Sequence, residues 1–106
     1  MNWKHIESTE DLEQLDKNSF EAPVLLYKHS TRCSISSAAL SRIERKWHDK
    51  VPEAWFLDLI THRDISDAIA SRYGVQHESP QLLLISKGVC IKHQSHMEVN
   101  VLTITG

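Results

Sequence analysis

Three short apolar runs constrain the fold of this chain more than any other feature of its sequence. They cover residues 24–27, 55–60 and 81–85. A strand that helices cover on both faces forms such a run, whereas a half-exposed strand alternates apolar and polar residues. A membrane span needs about 18 consecutive apolar residues, so none of these runs can cross a bilayer. We therefore expect a sheet with helices on both faces.

A first segment with helical periodicity precedes these runs. Ser8 and Thr9 both suit the N-cap position, and the helix is expected to end before Pro23. Leu12 and Leu15 lie on one side of this helix and predict its buried face.

Two more helices are predicted between the runs. The first of them follows the run 24–27, and its basic last turns continue as far as Pro52. Its predicted apolar stripe consists of Ala38, Ala39, Leu40, Ile43 and Trp47. The next helix is predicted from about residue 63 to residue 73, with Gly74 as its C-terminal stop.

The two ends of the chain complete the order of elements. Residues 3–6 predict a first strand, Lys87-Gly88 a hairpin turn, residues 89–93 the strand after it and residues 97–106 a short helix. Strands that alternate with helices imply right-handed parallel crossovers, and the hairpin adds antiparallel pairing. The predicted fold class is α/β, a central mixed sheet flanked by helices.

Composition narrows the classes of function. The 106 residues predict a single domain over residues 1–106. A net charge of −2 and a pI near 6.4 exclude the basic footprint of a nucleic-acid-binding protein. Two cysteines are too few for a secreted disulfide scaffold, and the first residues lack the apolar core of a signal peptide. We expect a cytoplasmic protein with reduced thiols, no nucleic-acid partner and no membrane.

Cys33 carries the strongest chemical expectation. It lies between the first apolar run and a predicted helix start, where backbone N–H groups and the helix dipole favour the thiolate. Arg32 and Lys28 are expected to add positive potential. His29 is a candidate for tuning the thiolate, with a strand-end core histidine as the alternative. The alternative for Cys33 itself is a half-buried cysteine that only begins a helix.

The spacing of Cys33 and Ser36 limits the chemistry to one thiol. A Cys-x-x-Cys pair here would be a dithiol redox centre, whose second thiol resolves a mixed disulfide. A serine hydroxyl does not attack a disulfide at neutral pH, so Cys33 must wait for an external thiol. Ser36 has an alternative role as a first-turn serine that satisfies a backbone group. Cys90 is predicted to be a core cysteine, because free cysteine is among the most buried residue types. The alternative is a resolving thiol, which would need its Cα within about 7 Å of Cys33.

Ser79-Pro80 and the histidines are the remaining features. Proline is tolerated at the start of a strand, and the sequence alone leaves this bond open between cis and trans. His93 and His96 are near each other in sequence, but two histidines do not make a zinc site. No metal is expected.

These features together resemble two known groups of proteins. The element order, the Cys-x-x-Ser at a helix start and the Ser-Pro before a hairpin are similar to the thioredoxin fold over nearly the whole chain. Within that fold the chain resembles the monothiol bacilliredoxins, the YtxJ-like family of the bacterial bacillithiol system. The resemblance lies in His29-Ser-x-Arg-Cys33-Ser-Ile-Ser36-Ser, Asp58-Leu59 and Ser95-His96. The chain differs at Ser34, where the family commonly has proline, and at Met97, where tryptophan often follows the histidine.

The resemblance implies roles for particular residues. Cys33 would be the catalytic thiol. Pro80 would be cis and lie beside it, and the backbone of Ser79 would pair with a substrate chain as an extra strand. The residues implied to support Cys33 are Arg32, Ser34, Ser36 and His29.

The implied activity is removal of bacillithiol from client proteins. Cys33 would take the bacillithiol from a client disulfide, and a second bacillithiol or a reductase would release it. Bacillithiol would thus be a thiol co-substrate, and no cofactor would be tightly bound. A non-catalytic thioredoxin-like module that docks clients at the Pro80 loop is the alternative. Iron–sulfur carriage is a third possibility, but the Cys-Gly-Phe-Ser sequence of monothiol glutaredoxins is absent.

Overall fold

The computed structural model describes residues 3–105. Its elements follow the predicted order: β1 (Trp3–His5), α1 (Thr9–Asn18), β2 (Val24–His29), α2 (Ser34–Arg45), β3 (Glu53–Asp58), α3 (Arg63–Tyr73), β4 (Gln81–Ser86), β5 (Val89–Ser95) and α4 (Val101–Ile104). A short 3₁₀ turn, His96–Glu98, joins β5 to α4. Gly106, the end of the predicted last helix, lies outside the described residues. Every helix in residues 3–105 is too short or too polar to span a bilayer.

The strands form one mixed sheet in the order β1-β3-β2-β4-β5. β1 and β2 both pair in parallel with β3, while β4 is antiparallel to β2 and to β5. The predicted parallel crossover is confirmed for α2, which connects β2 to β3. The prediction of a parallel crossover is wrong for α3, which connects β3 to β4, because β4 runs antiparallel to β2. Apolar runs report burial and not strand direction, so the sequence did not distinguish the two cases.

Helices cover both faces of this sheet, as the apolar runs predict. One core lies between the sheet and α1 and α3, and the other lies between the sheet and α2 and α4. Alternate residues of β2 supply the two cores: Leu26 belongs to the first, and Leu25 and Tyr27 belong to the second. All of these side chains are buried, because a strand in the middle of a covered sheet meets apolar neighbours on both sides.

The second helix ends earlier than predicted. α2 ends at Arg45, and Lys46 has φ −104° and ψ 14°, outside the helical region. Trp47 continues the four-residue spacing of the stripe, but its ring packs edge-on against Trp3 with the centroids 5.3 Å apart. Ala38, predicted to be buried, is exposed. The buried face of α2 runs instead through Ser36, Ala39 and Ile43.

Two strand ends also differ from the prediction. β3 ends at Asp58, whose carboxylate accepts a hydrogen bond from the Ile60 backbone N–H at 3.1 Å and so turns the chain. β5 continues to Ser95 rather than to residue 93. α3 has its predicted bounds, and Gly74 ends it with a left-handed φ of 63°.

Candidate functional site

Cys33 lies where the central strand β2 gives way to α2. It is the N-cap residue of α2, with φ −117° and ψ 116°, and its backbone N–H donates to the Ser30 carbonyl at 3.2 Å. The side chain is partly exposed. The thiol therefore faces solvent at the N-terminus of a 12-residue helix, as the sequence predicts.

Backbone donors set the acidity of this thiol. The N–H of Ser36 lowers the pKa of Cys33 below its usual value, partial burial opposes this effect, and the Ser36 hydroxyl and the Ile35 N–H lower it further. These groups stabilise the thiolate, which is the nucleophilic form. Arg32, the adjacent cation, is exposed.

Lys28 does not contribute to the thiol as expected. Strand alternation directs it to the face of β2 opposite α2, where its Nζ lies 3.4 Å from Nδ1 of His77. The side chain is fully buried, and burial lowers the pKa of Lys28 to about 8. The Lys28 ammonium therefore contacts the loop before β4 and is directed away from Cys33.

Ser36 joins the helix to the loop that carries Pro80. It is fully buried, and its hydroxyl lies 3.3 Å from the Ser79 hydroxyl. Its carbonyl accepts a hydrogen bond from the Tyr27 hydroxyl at 2.7 Å. The hydroxyl thus contacts a second loop as well as the Cys33 thiol, whereas its first-turn position had suggested a backbone partner.

The Ser79–Pro80 bond is cis, as the family resemblance implied. Pro80 is buried beside α2, and its carbonyl accepts a hydrogen bond from the His96 N–H at 2.9 Å. His96 has a left-handed φ of 55°, and its ring lies 3.5 Å from the Glu78 carboxylate. The loop is therefore held from α2 on one side and from the turn after β5 on the other.

His29 is a buried strand-end histidine in an aromatic cluster. Its ring centroid lies 5.2 Å from that of Phe56 and 5.8 Å from that of Tyr27. Burial lowers the pKa of His29, and the Asp58 carboxylate partly opposes this effect. Its Nδ1 is buried and has no hydrogen-bond partner within residues 3–105.

Cys90 lies at the opposite end of the sheet. It pairs with Ile85, which pairs in turn with Val24 at the start of β2. Five residues separate Val24 from His29, and at about 3.3 Å per residue they span roughly 16 Å. A disulfide needs a Cα–Cα distance below about 7 Å. Burial also raises the pKa of Cys90, so this residue is a protonated, partly buried cysteine away from Cys33.

Sequence reasoning placed Tyr27 in the core and missed its part in the site. Burial raises the pKa of Tyr27, Arg42 partly opposes this effect, and a negative charge on Cys33 raises it again. The hydroxyl therefore stays protonated and donates to the first turn of α2. A tyrosine inside an otherwise apolar run was the available signal, because a buried tyrosine hydroxyl usually finds a partner.

A groove with a mixed polar and apolar lining opens at the same edge of the sheet as Cys33. It has a volume of about 310 Å³ and lies where the parallel strands β1 and β3 end. We call it the β1–β3 groove; its lining residues are His5, Ile6, Glu7, Phe56, Asp58, Thr61 and His62. Within residues 3–105, no group of three or more histidine, cysteine, aspartate or glutamate side chains could hold a metal ion.

Comparison with known proteins gives a family and a fold. A family model described as monothiol bacilliredoxin BrxC matches residues 4–104. A solved structure described as a candidate oxidoreductase with a thioredoxin fold is 28% identical, with a TM-score of 0.83 over 95% of this chain and 88% of that one.

Two thioredoxins are similar in fold. The Malassezia sympodialis protein is 12% identical, with a TM-score of 0.76 over 97% of this chain and 86% of that one. The Trypanosoma brucei brucei protein is 11% identical, with a TM-score of 0.76 over 98% of this chain and 85% of that one. The predicted thioredoxin fold is therefore confirmed.

Proposed function

The chain belongs to the monothiol bacilliredoxin family, and from that membership we propose that it removes bacillithiol from client proteins through Cys33. Family and fold make it a thiol-disulfide oxidoreductase. One observation carries the rest: Cys33 lies alone at a helix N-terminus whose N–H groups lower its pKa, beside a loop suited to an extended chain.

The first step is attack of the Cys33 thiolate on the bacillithiol sulfur of a client mixed disulfide. A bond forms between Cys33 and bacillithiol, the old disulfide bond breaks, and the client cysteine leaves as a thiolate that takes a proton from solvent. The client cysteine is reduced, and Cys33 holds the bacillithiol as a new mixed disulfide.

The Pro80 loop is the proposed docking place for the client. Ser79 is only partly buried and precedes β4, so its backbone can pair with an extended client segment. Ser36 and His96 hold the loop in place beside the thiol. The client cysteine would then arrive next to Cys33 without a rearrangement of the loop.

The second step needs a thiol from outside the chain. Ser36 has no thiol, and the strand register places Cys90 roughly 16 Å away along the sheet. A second bacillithiol, as thiolate, would attack the mixed disulfide on the bacillithiol sulfur. This step releases the Cys33 thiolate and forms bacillithiol disulfide, which a reductase can then reduce.

Intact-mass analysis after exposure to bacillithiol disulfide tests the proposal. We expect one adduct per chain, located on Cys33, stable until a thiol is added, and absent from Cys33→Ser. Cys90→Ser should behave as the unchanged protein. In Ser36→Cys we expect release of the adduct and an internal disulfide between Cys33 and the introduced thiol, because that thiol lies in the first helical turn.

Two results would contradict the proposal. An internal disulfide between Cys33 and Cys90 would make Cys90 the resolving residue. Failure of Cys33 to react with any small disulfide, while a client still binds, would favour the non-catalytic docking module.

A further inference from the structure

The β1–β3 groove lies at the same edge of the sheet as Cys33, on the β3 side of β2, whereas the Pro80 loop lies on the β4 side. Asp58, which lines the groove, pairs with His29 of β2. Neighbouring strands are about 4.8 Å apart, so the groove begins one strand away from the end of β2. Cys33 is hydrogen-bonded to Ser30, the residue after His29. The groove and the thiol therefore share one edge of the sheet.

The Pro80 loop occupies the other side of this strand end. Gln81, which follows Pro80, pairs with Lys28 in the antiparallel register between β2 and β4. Cys33 thus lies between two different surfaces. The backbone of the Pro80 loop can pair with an extended chain, whereas the β1–β3 groove is lined by side chains.

The groove is suited to hydrogen-bond donors. The Asp58 carboxylate accepts from the Ile60 N–H at 3.1 Å and from the Thr61 hydroxyl at 3.0 Å. A carboxylate has about four acceptor positions, so it can accept further donors from a ligand. Glu7 adds a second carboxylate, and the imidazole rings of His5 and His62 can donate or accept. Ammonium and hydroxyl groups fit such a lining better than carboxylates do.

The size of the groove also points to a small ligand. A volume of about 310 Å³ matches a small molecule and is too small for a folded segment of a client. Phe56 gives the groove an apolar wall.

A mixed disulfide presents both halves to Cys33 at once, because attack precedes departure of the client. We propose that the β1–β3 groove binds the polar part of the small thiol, through ammonium or hydroxyl donors that meet Asp58 and Glu7, while the Pro80 loop binds the client. This inference rests on the proposed function and adds a second subsite to it.

Rates of mixed-disulfide formation with charged model disulfides test the groove. In a Cys90→Ser background, Cys33 is reacted with cationic cystamine, neutral hydroxyethyl disulfide, anionic dithiodipropionate and bacillithiol disulfide. The test variant is Glu7→Gln/Asp58→Asn, in which the new amide oxygen at position 58 can still accept from the turn. Loss of a charge-assisted hydrogen bond should lower the cystamine-to-dithiodipropionate rate ratio about tenfold. The bacillithiol disulfide rate should fall similarly, and the hydroxyethyl disulfide rate should fall less, because an amide oxygen still accepts from a hydroxyl.

Control variants isolate the groove from general charge effects. Glu21→Gln/Glu44→Gln removes two exposed carboxylates away from the groove, one just before β2 and one in α2, and it should keep every ratio within about twofold because distant charges are screened. Glu7→Gln alone, at an exposed side chain, should lower the charge ratio without touching the Asp58 turn.

The outcomes separate the subsite from the function. If the unchanged protein reacts with bacillithiol disulfide and the groove variants alter neither that rate nor the charge ratio, the subsite is refuted and the proposed function stands. If the charge ratio falls as expected but bacillithiol disulfide never modifies Cys33, the proposed function fails and the groove keeps its selectivity for donor-bearing thiols.

Discussion

The N–H groups of Ser36 and Ile35 stabilise a negative charge on Cys33, so this thiol should react with electrophiles at lower pH than an unperturbed cysteine. Iodoacetamide alkylation of Cys90→Ser, followed against pH, should give a midpoint below that of a free model thiol. Burial raises the pKa of Cys90, so the midpoint for Cys33→Ser should lie above that of the model thiol. Equal midpoints for the two variants would contradict this assignment.

The same interaction links Cys33 to folding stability. Because the folded-state pKa lies below the unfolded one, the thiolate stabilises the fold above the unfolded pKa, and this contribution is lost as pH falls through the folded pKa. Cys33→Ser should therefore lose stability relative to the unchanged protein at alkaline pH and lose less at acid pH.

Lys28 should cost the fold stability at neutral pH. Its pKa falls from 10.5 to about 8 on burial, a difference that corresponds to about 3 kcal/mol. Below pH 8 the folded state carries this cost in full, and stability is regained as pH rises from about 8 to 10.5. Lys28→Met has similar length and no charge. We expect it to raise the free energy of unfolding by about 1–3 kcal/mol at pH 7, because removal of the buried charge outweighs loss of the contact with His77 and of the attraction to Asp67.

Urea unfolding of both proteins between pH 7 and pH 10.5 measures this effect. The advantage of Lys28→Met should shrink across that range, since other titrating groups are common to both proteins. A difference that is constant with pH would show that the ammonium is not destabilised by burial.

At the scale of elements, the contact of α2 with the Pro80 loop depends on two serines. Ser36→Ala and Ser79→Ala each remove one side of the 3.3 Å hydroxyl contact and should each cost about 1 kcal/mol of unfolding free energy. The double variant should cost less than the sum of the two, because both single changes break the same bond. Reaction with a client mixed disulfide should slow in all three, and Ser79→Ala, which keeps the Ser36 hydroxyl that lowers the Cys33 pKa, should react with hydroxyethyl disulfide as before. Strict additivity would place the two hydroxyls in separate interactions.

Element positions were largely predictable because local patterns determine them. The Leu12 and Leu15 stripe, the Gly74 stop and the Lys87-Gly88 turn each describe a short stretch, and the structure has all three. The end of α2 was not predictable in this way. Trp47 has helical spacing from Ile43, and only its distant contact with Trp3 shows that the chain has already left the helix.

Only the part of the site that lies within one loop could be predicted from the sequence. The position of Cys33 at a helix start follows from its neighbours in sequence. The partners of Ser36 are Tyr27 in a strand and Ser79 in a loop 43 residues further on, and no local pattern encodes such a meeting. The error over Lys28 has the same origin, because sequence proximity to Cys33 does not say which face of a strand a side chain takes.

At the scale of the whole molecule, the position of the two thiols at opposite ends of the sheet determines how the protein can hold an oxidised state. A dithiol protein that reduces a client disulfide can keep the two-electron oxidation as an internal disulfide bond. Under the proposed mechanism, each oxidation of Cys33 by disulfide exchange leaves one small thiol bound to the chain as a mixed disulfide. The amount of oxidised protein then equals the amount of small thiol taken up. The rate at which the protein is reduced again depends on the concentration of free thiol. In a medium without thiols, each molecule would act once and stop.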